Sequence, residues 1–271
     1  MWLNRNLFIR EVKSNAFNLL LWMMVISALI AVTMSVYPTF LSNQSKVMGM
    51  LGLIPKEALQ FKGITNVADL TSVLGFYEAN NVIYMMVLGS IFAMVLSCNI
   101  LLKEEYNKTA EYLLTRPVTR GEIFFTKLSV LFFYVFALNL VTTLIGFISM
   151  KFVEQSSFSA KAFMILSLYT LLLNVLFGAA GLFISVLGKR PRPITTLGIA
   201  LVLVLYFVFT LSKITESASK IGYLSPFKYV RTDVMNKSYG LDLWHLLYFG
   251  GISFLLIAAA FRIYRRKDIY T

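Results

Sequence analysis

Charge is missing from six long stretches of this 271-residue chain, although Lys and Arg number 25 and Asp and Glu 13. The uncharged stretches are residues 16–37, 82–102, 128–150, 162–187, 194–212 and 244–261. A bilayer crossing needs about 20 apolar residues, and each charge at the centre of a crossing helix would cost about 2.5–3.5 kcal/mol. The pattern predicts six membrane-spanning helices. Proteins that move ions or protons by their own chemistry keep ionisable groups at membrane depth. Their absence here argues against an ion-coupled carrier and against a membrane-embedded acid–base enzyme. Cysteine is scarce too: Cys98 stands alone, which excludes an intrachain disulfide and a cysteine metal site. His245 is the only histidine and sits beside Trp244, where an interfacial anchor is expected. No phosphate-binding loop of the G-x-x-x-x-G-K-[ST] type is present, because the one Gly-Lys pair, Gly188-Lys189, has Phe183 where the first glycine belongs. Catalytic and metal-ligating residues, and a cofactor bound by this chain, are therefore not expected.

What the chain does have is apolar mass and an uneven spread of basic residues. Hydrophobic residues make up 58% of it and the formal charge is +12; the mean hydropathy is +0.73. Arg5, Arg10 and Lys13 precede the first stretch, and Lys103, Lys108, Arg116, Arg120 and Lys127 fill the gap after the second. Lys189, Arg190 and Arg192 follow the fourth, and Arg262, Arg265, Arg266 and Lys267 follow the sixth. The alternate gaps are longer and hold fewer basic residues. By the positive-inside rule both termini face the cytoplasm, so the positive charge is topological and nucleic acid is not an expected partner. The first apolar run is too long for a cleaved signal and reads as a retained span.

Between the spans, residues 2–14 mix apolar and basic residues, which suggests a helix lying on the cytoplasmic leaflet or a frayed extension. The outer loops, 38–81 and 213–243, are long enough to fold as small helical caps, with Pro55 able to open a short helix and Gly222, Pro226 and Gly240 as breakers. Gly89, Ala93 and Ser97 form a stripe of small residues on the second span, and Gly178 and Gly181 do the same on the fourth. Such stripes allow close helix approach in lipid, either inside one subunit or at a dimer interface.

The segment 103–127 carries the most information. Thr109 can cap a short helix with Glu111 in its first turn, and Pro117 disfavours helix at Arg116. Thr119 and Glu122 then form a capping box ahead of the third span. A short stiff helix between two long ones, with Tyr112, Leu113 and Leu114 as its apolar face, wants a partner surface. The run T-A-E-Y-L-L-T-R-P-V-T-R, from Thr109 to Arg120, followed by Lys127, resembles the signature of ABC-2-type transporter permeases. Lys108 stands where that family usually has glycine. Leu53–Leu59 and Leu224–Tyr229 resemble two further segments of the family.

The resemblance implies a single all-α transmembrane domain over residues 1–271. It has six spans, cytoplasmic termini, a cytosolic coupling helix between spans 2 and 3, and small extracellular helical loops. It also implies a permease subunit of an ATP-binding cassette exporter in a bacterial cytoplasmic membrane. The permease would pair with a second permease subunit, identical or paralogous. It would be driven by a separate cytosolic ATPase, in two copies, that binds ATP and Mg. Glu104, Glu105, Thr109, Glu111, Tyr112, Leu113, Leu114, Pro117 and Arg120 would dock that ATPase. By the same resemblance spans 2 and 5 line the path, which makes Ser90, Ser97, Asn99, Thr195, Thr196, Tyr206 and Thr210 its polar candidates. A path without charge suits an amphipathic or lipid-like cargo: an antibiotic, a peptide or a lipid. The competing expectation is a membrane anchor or sensor partner of an ATPase that transports nothing.

Overall fold

The structure, a computed structural model, describes residues 4–55, 59, 67–106, 119–153, 158–188, 190–214, 219–236 and 238–266, with the backbone only for 103–106. Among the described residues the chain is helical, with no strand. Six helices are long and apolar enough to cross a membrane: Arg5–Ser42, Val73–Leu102, Arg120–Val153, Ala160–Leu187, Pro191–Ile214 and Leu243–Arg266, here spans 1 to 6.

Side chains near the helix starts, rather than the edge of the apolar run, set where most of these helices begin. Asn4 accepts the Leu7 N–H at 3.1 Å, Ser72 accepts the Gly75 N–H at 3.0 Å, and Ser159 accepts the Ala162 N–H at 3.2 Å. Each satisfies one of the orphan donors of a first helical turn. At span 6, Asp242 Oδ1 accepts the Trp244 N–H at 2.9 Å. Span 5 opens on Pro191, whose missing N–H costs nothing in the first turn.

The caps lie outside the uncharged stretches, so the helices overrun them. The Arg5–Ser35 helix alone has 31 residues, about 46 Å at 1.5 Å per residue, against about 30 Å of hydrocarbon. Two expectations are corrected here. Residues 5–14 are not a separate helix on the membrane surface but the first turns of span 1, held on span 3 by packing of Leu7 against Ile123. The first outer loop is shorter than 38–81, because Val73–Ile83 is already span 2, and Tyr37–Ser42 continues span 1 past a one-residue break ahead of Pro38. Proline removes the N–H that would carry the helix through. Tyr37–Ser42 and Gln44–Leu51 then form a helical outer cap, with Tyr37 and Phe40 packed on Phe76 and Tyr37 Oη donating to the Thr71 carbonyl at 2.7 Å. Of the segment 53–59, most lies outside the described residues; Leu59 donates its N–H to the Pro55 carbonyl at 3.3 Å.

Spans 2 and 4 form the centre, spans 1 and 3 pair beside them, span 5 packs on span 2, and span 6 on span 4. Small residues set how closely they meet. A Cβ on Gly181 would fall 2.0 Å from Ser97 Oγ, and one on Gly89 would fall 2.6 Å from Asn174 Nδ2. Gly178 meets Leu131 of span 3, and Ala93 is fully buried. Both small-residue stripes therefore face neighbours within the same chain. Gly198 makes a third close approach, its Cβ position 2.7 Å from Met94 Cγ and 3.2 Å from Cys98 Sγ, and joins span 5 to span 2. Span 2 also contains one π-helical turn, Tyr84–Leu88, between its α-helical halves.

Candidate functional site

The end of the bundle that carries both described chain ends gathers the charged motif residues. Thr119 and Glu122 form the expected reciprocal cap: the Thr119 N–H donates to Glu122 Oε2 at 2.8 Å and the Glu122 N–H to Thr119 Oγ1 at 3.2 Å. Arg120 turns toward span 6 and donates to the Arg265 carbonyl at 3.5 Å. Phe124 and Phe125 pack on Phe261 with ring centroids 5.2 and 5.0 Å apart.

Lys127 is the centre of this corner. It is 1% exposed, and its Nζ lies 4.0 Å from Oε1 of Glu11, also 1% exposed, while donating to the Ile100 carbonyl of span 2. One ammonium thus joins spans 1, 2 and 3. An ammonium donating to a carbonyl makes a charge-assisted hydrogen bond, stronger than a neutral one. Burial makes the ion pair matter, because breaking a buried pair on one side is costly in a low dielectric; Arg10 Nη2, 3.5 Å from the same Glu11 Oε1, adds a second, more exposed cation. Two bonds between spans 1 and 3, and one within span 1, surround the same contact. The Asn4 N–H donates to Thr126 Oγ1 at 3.0 Å, Asn15 Nδ2 donates to the Glu11 carbonyl at 3.0 Å, and Tyr134 Oη donates to the Val12 carbonyl. Glu104 and Glu105 lie on the last turn of the Gly89–Tyr106 helix. Thr109, Glu111, Tyr112, Leu113, Leu114 and Pro117 lie outside the described residues.

The polar residues expected along a path divide into two groups and one outlier. Ser90 and Ser97 are buried against span 4: Ser90 Oγ donates to Asn174 Oδ1 at 3.1 Å, and Ser97 Oγ donates to the Met94 carbonyl of its own helix at 3.0 Å. Asn99, Thr195, Tyr206 and Thr210 lie along the seam of spans 2 and 5. Thr195 Oγ1 donates to Asn99 Oδ1 at 3.4 Å near one end of it. Toward the other, Tyr206 and Thr210 line a narrow cleft with Met86, Glu78, Lys213 and Thr232. Between them Gly198 seals the seam against Met94 and Cys98. Thr196 is exposed on the outward face of span 5.

The segment Leu224–Tyr229 acts as a plug at the loop end. Ser225 is buried, donates to the Leu205 carbonyl at 2.7 Å and accepts the Phe227 N–H at 3.3 Å. That sets Phe227 among Phe177, Tyr206 and Phe209. Beside it, the Arg231 guanidinium hydrogen-bonded to Asp233 at 2.7 Å holds that carboxyl below the usual range. His245, expected as a bare anchor, sits between the rings of Tyr169 and Tyr229, with Nδ1 3.0 Å from Asp242 Oδ2.

The ABC-2 family transporter protein profile matches residues 1–269 of this chain. The chain belongs to the ABC-2 transporter family. It is a multi-pass membrane protein; permeases of this family are membrane transport components, not themselves catalytic, and generally work with a separate ABC ATPase subunit. No curated protein matches it significantly.

Several residues of this ABC-2 permease escaped sequence reasoning. Glu11 left one signal: it is the sole acid before Glu57. Glu78 and Lys213 lie outside the uncharged stretches yet share a cleft through the helices' outer turns. Asn81 is fully buried with neither amide atom bonded among the described residues, and Asn174 was passed over as one polar residue in an apolar run.

Proposed function

We propose that this chain is the permease subunit of an ATP-driven exporter of the cytoplasmic membrane, with both termini cytosolic. It pairs with a second permease subunit and is driven by two copies of a cytosolic cassette ATPase that hold ATP and Mg. The ATPase docks on the segment 103–127 through Glu104, Glu105, Thr109, Glu111, Tyr112, Leu113, Leu114, Pro117 and Arg120. The observation that carries this reading is the Lys127 corner. The helix that follows the docking segment is tied at Lys127 to spans 1 and 2 and at Arg120 to span 6. A push on that segment therefore moves several long helices at once instead of bending a loop. Spans without charge in their middle stretches need such an external drive.

The cargo would be amphipathic or hydrophobic: an antibiotic, a peptide or a lipid-like molecule. Asn99, Thr195, Tyr206 and Thr210 are the residues on the span 2–span 5 seam placed to meet it. Ser90 and Ser97 face span 4, so contact with cargo would require that helix pair to open.

The test is co-purification with the cassette ATPase after Leu114→Asp or Glu111→Arg. Both variants should stay in the membrane and lose the ATPase; wild-type recovery of the ATPase with both removes the docking assignment. Hydrolysis by the reconstituted complex that no cargo stimulates would favour an anchor over a transporter.

A further inference from the structure

The outward face of span 6 changes character along its length. Leu247, Gly251, Leu255, Ala258 and Arg262 follow one another at intervals of three or four residues, so they share one stripe. Leu247 and Leu255 are 57% and 65% exposed, and a Cβ on Gly251 would meet nothing within 4 Å. At the end that carries both described chain ends the stripe drops to Ala258 and Ala259 and then rises to exposed Arg262, Arg265 and Arg266. These residues, with Leu255 and Phe261, line an open groove of about 710 Å³.

We propose that this groove is a binding site for an anionic phospholipid. The guanidinium groups take the headgroup phosphate, and an acyl chain lies along the recess at Ala258 and Ala259. Guanidinium forks match phosphate oxygens in geometry as well as charge. The arginines begin directly after Phe261, the end of the sixth uncharged stretch, where a span meets the headgroups and each basic residue adds attraction to an acidic leaflet. A second copy of the chain fits the face less well, because a two-fold contact would set this arginine collar against its own image. A water-soluble partner would not reach the alanine recess, which lies within the uncharged stretch. The site needs only the membrane-spanning helix, so it stands apart from the docking and cargo assignments.

Native mass spectrometry of the purified full-length chain with added phosphatidylglycerol or phosphatidylcholine tests it. One phosphatidylglycerol per chain should be retained in preference to phosphatidylcholine. The triple variant Arg262→Gln, Arg265→Gln, Arg266→Gln should weaken that binding about a hundredfold, from the attraction each basic residue adds. Ala258→Trp, which fills the recess and keeps every charge, should weaken it as well. Equal retention of the two lipids, or phosphatidylglycerol binding unchanged in the triple variant, overturns the proposal. Displacement of the lipid by millimolar inorganic phosphate would show a simple anion site and also overturns it. So would loss of a dimer in Ala258→Trp with lipid binding intact.

Discussion

Glu11 and Lys127 show how much one buried pair can decide. Each is 1% exposed, so removing one partner takes away the other's buried counter-charge, although Arg10 stays 3.5 Å from Glu11. A buried ion pair broken on one side costs about 3–5 kcal/mol, whereas replacing both with apolar groups of similar size is often neutral. Glu11→Ala and Lys127→Ala should therefore each lower the thermal unfolding temperature sharply. Glu11→Leu combined with Lys127→Met should restore most of it, as read by unfolding of the purified chain in detergent. Additive losses in the double variant would mean that the two charges act separately. The pair was half legible: Lys127 stood out through the motif, but nothing in a linear chain says which distant acid faces it. Only the course of span 1, whose helix continues to Arg5 beside span 3, brings Glu11 there.

At the scale of helices, hydropathy revealed the spans and hid their ends. Lipid sets which residues are apolar; side-chain caps at Asn4, Ser72, Thr119 and Ser159 set where most of the helices begin. The Thr119–Glu122 cap was readable because its two partners are three residues apart. The small-residue stripes were readable as well, but not their partners, since a stripe does not name the helix it will meet. Gly198 left no such stripe and still brings span 5 onto span 2. Gly181→Leu and Gly198→Leu should each wedge their helix pair apart, at a cost of about 1–3 kcal/mol or more for overpacking. Gly250→Leu, where a Cβ meets nothing within 4 Å, should leave unfolding unchanged. Comparable losses at all three positions would show that close approach does not govern these sites.

For the whole molecule, the arrangement is a closed one. The seam between spans 2 and 5 is sealed midway by Gly198 against Met94 and Cys98, and capped at the loop end by Phe227. Which polar residues face that seam could not be read from spacing, because the π-helical turn in span 2 breaks the regular period partway along. If cargo passes along this seam as proposed, alternation between inward- and outward-facing states would part it. Cys98 is the chain's sole thiol and is fully buried, so it reports on that motion without engineering. A membrane-permeant maleimide should label it slowly in the resting permease and several-fold faster when the partner ATPase turns over ATP. Labelling that stays unchanged under turnover would place the moving boundary elsewhere.

The turn at Tyr84–Leu88 has one more consequence. It carries a surplus residue, and each residue advances an α-helix by about 100°. The half of span 2 before this turn can thus aim Tyr77 at Gly146 while the half after it aims Ser97 at Gly181, two azimuths that an unbroken α-helix would not hold together. Deleting a single residue there would leave a smoother rod and swing Ser97, Cys98 and Asn99 round the axis together. That register error would carry on to residues 103–106 at the end of the Gly89–Tyr106 helix.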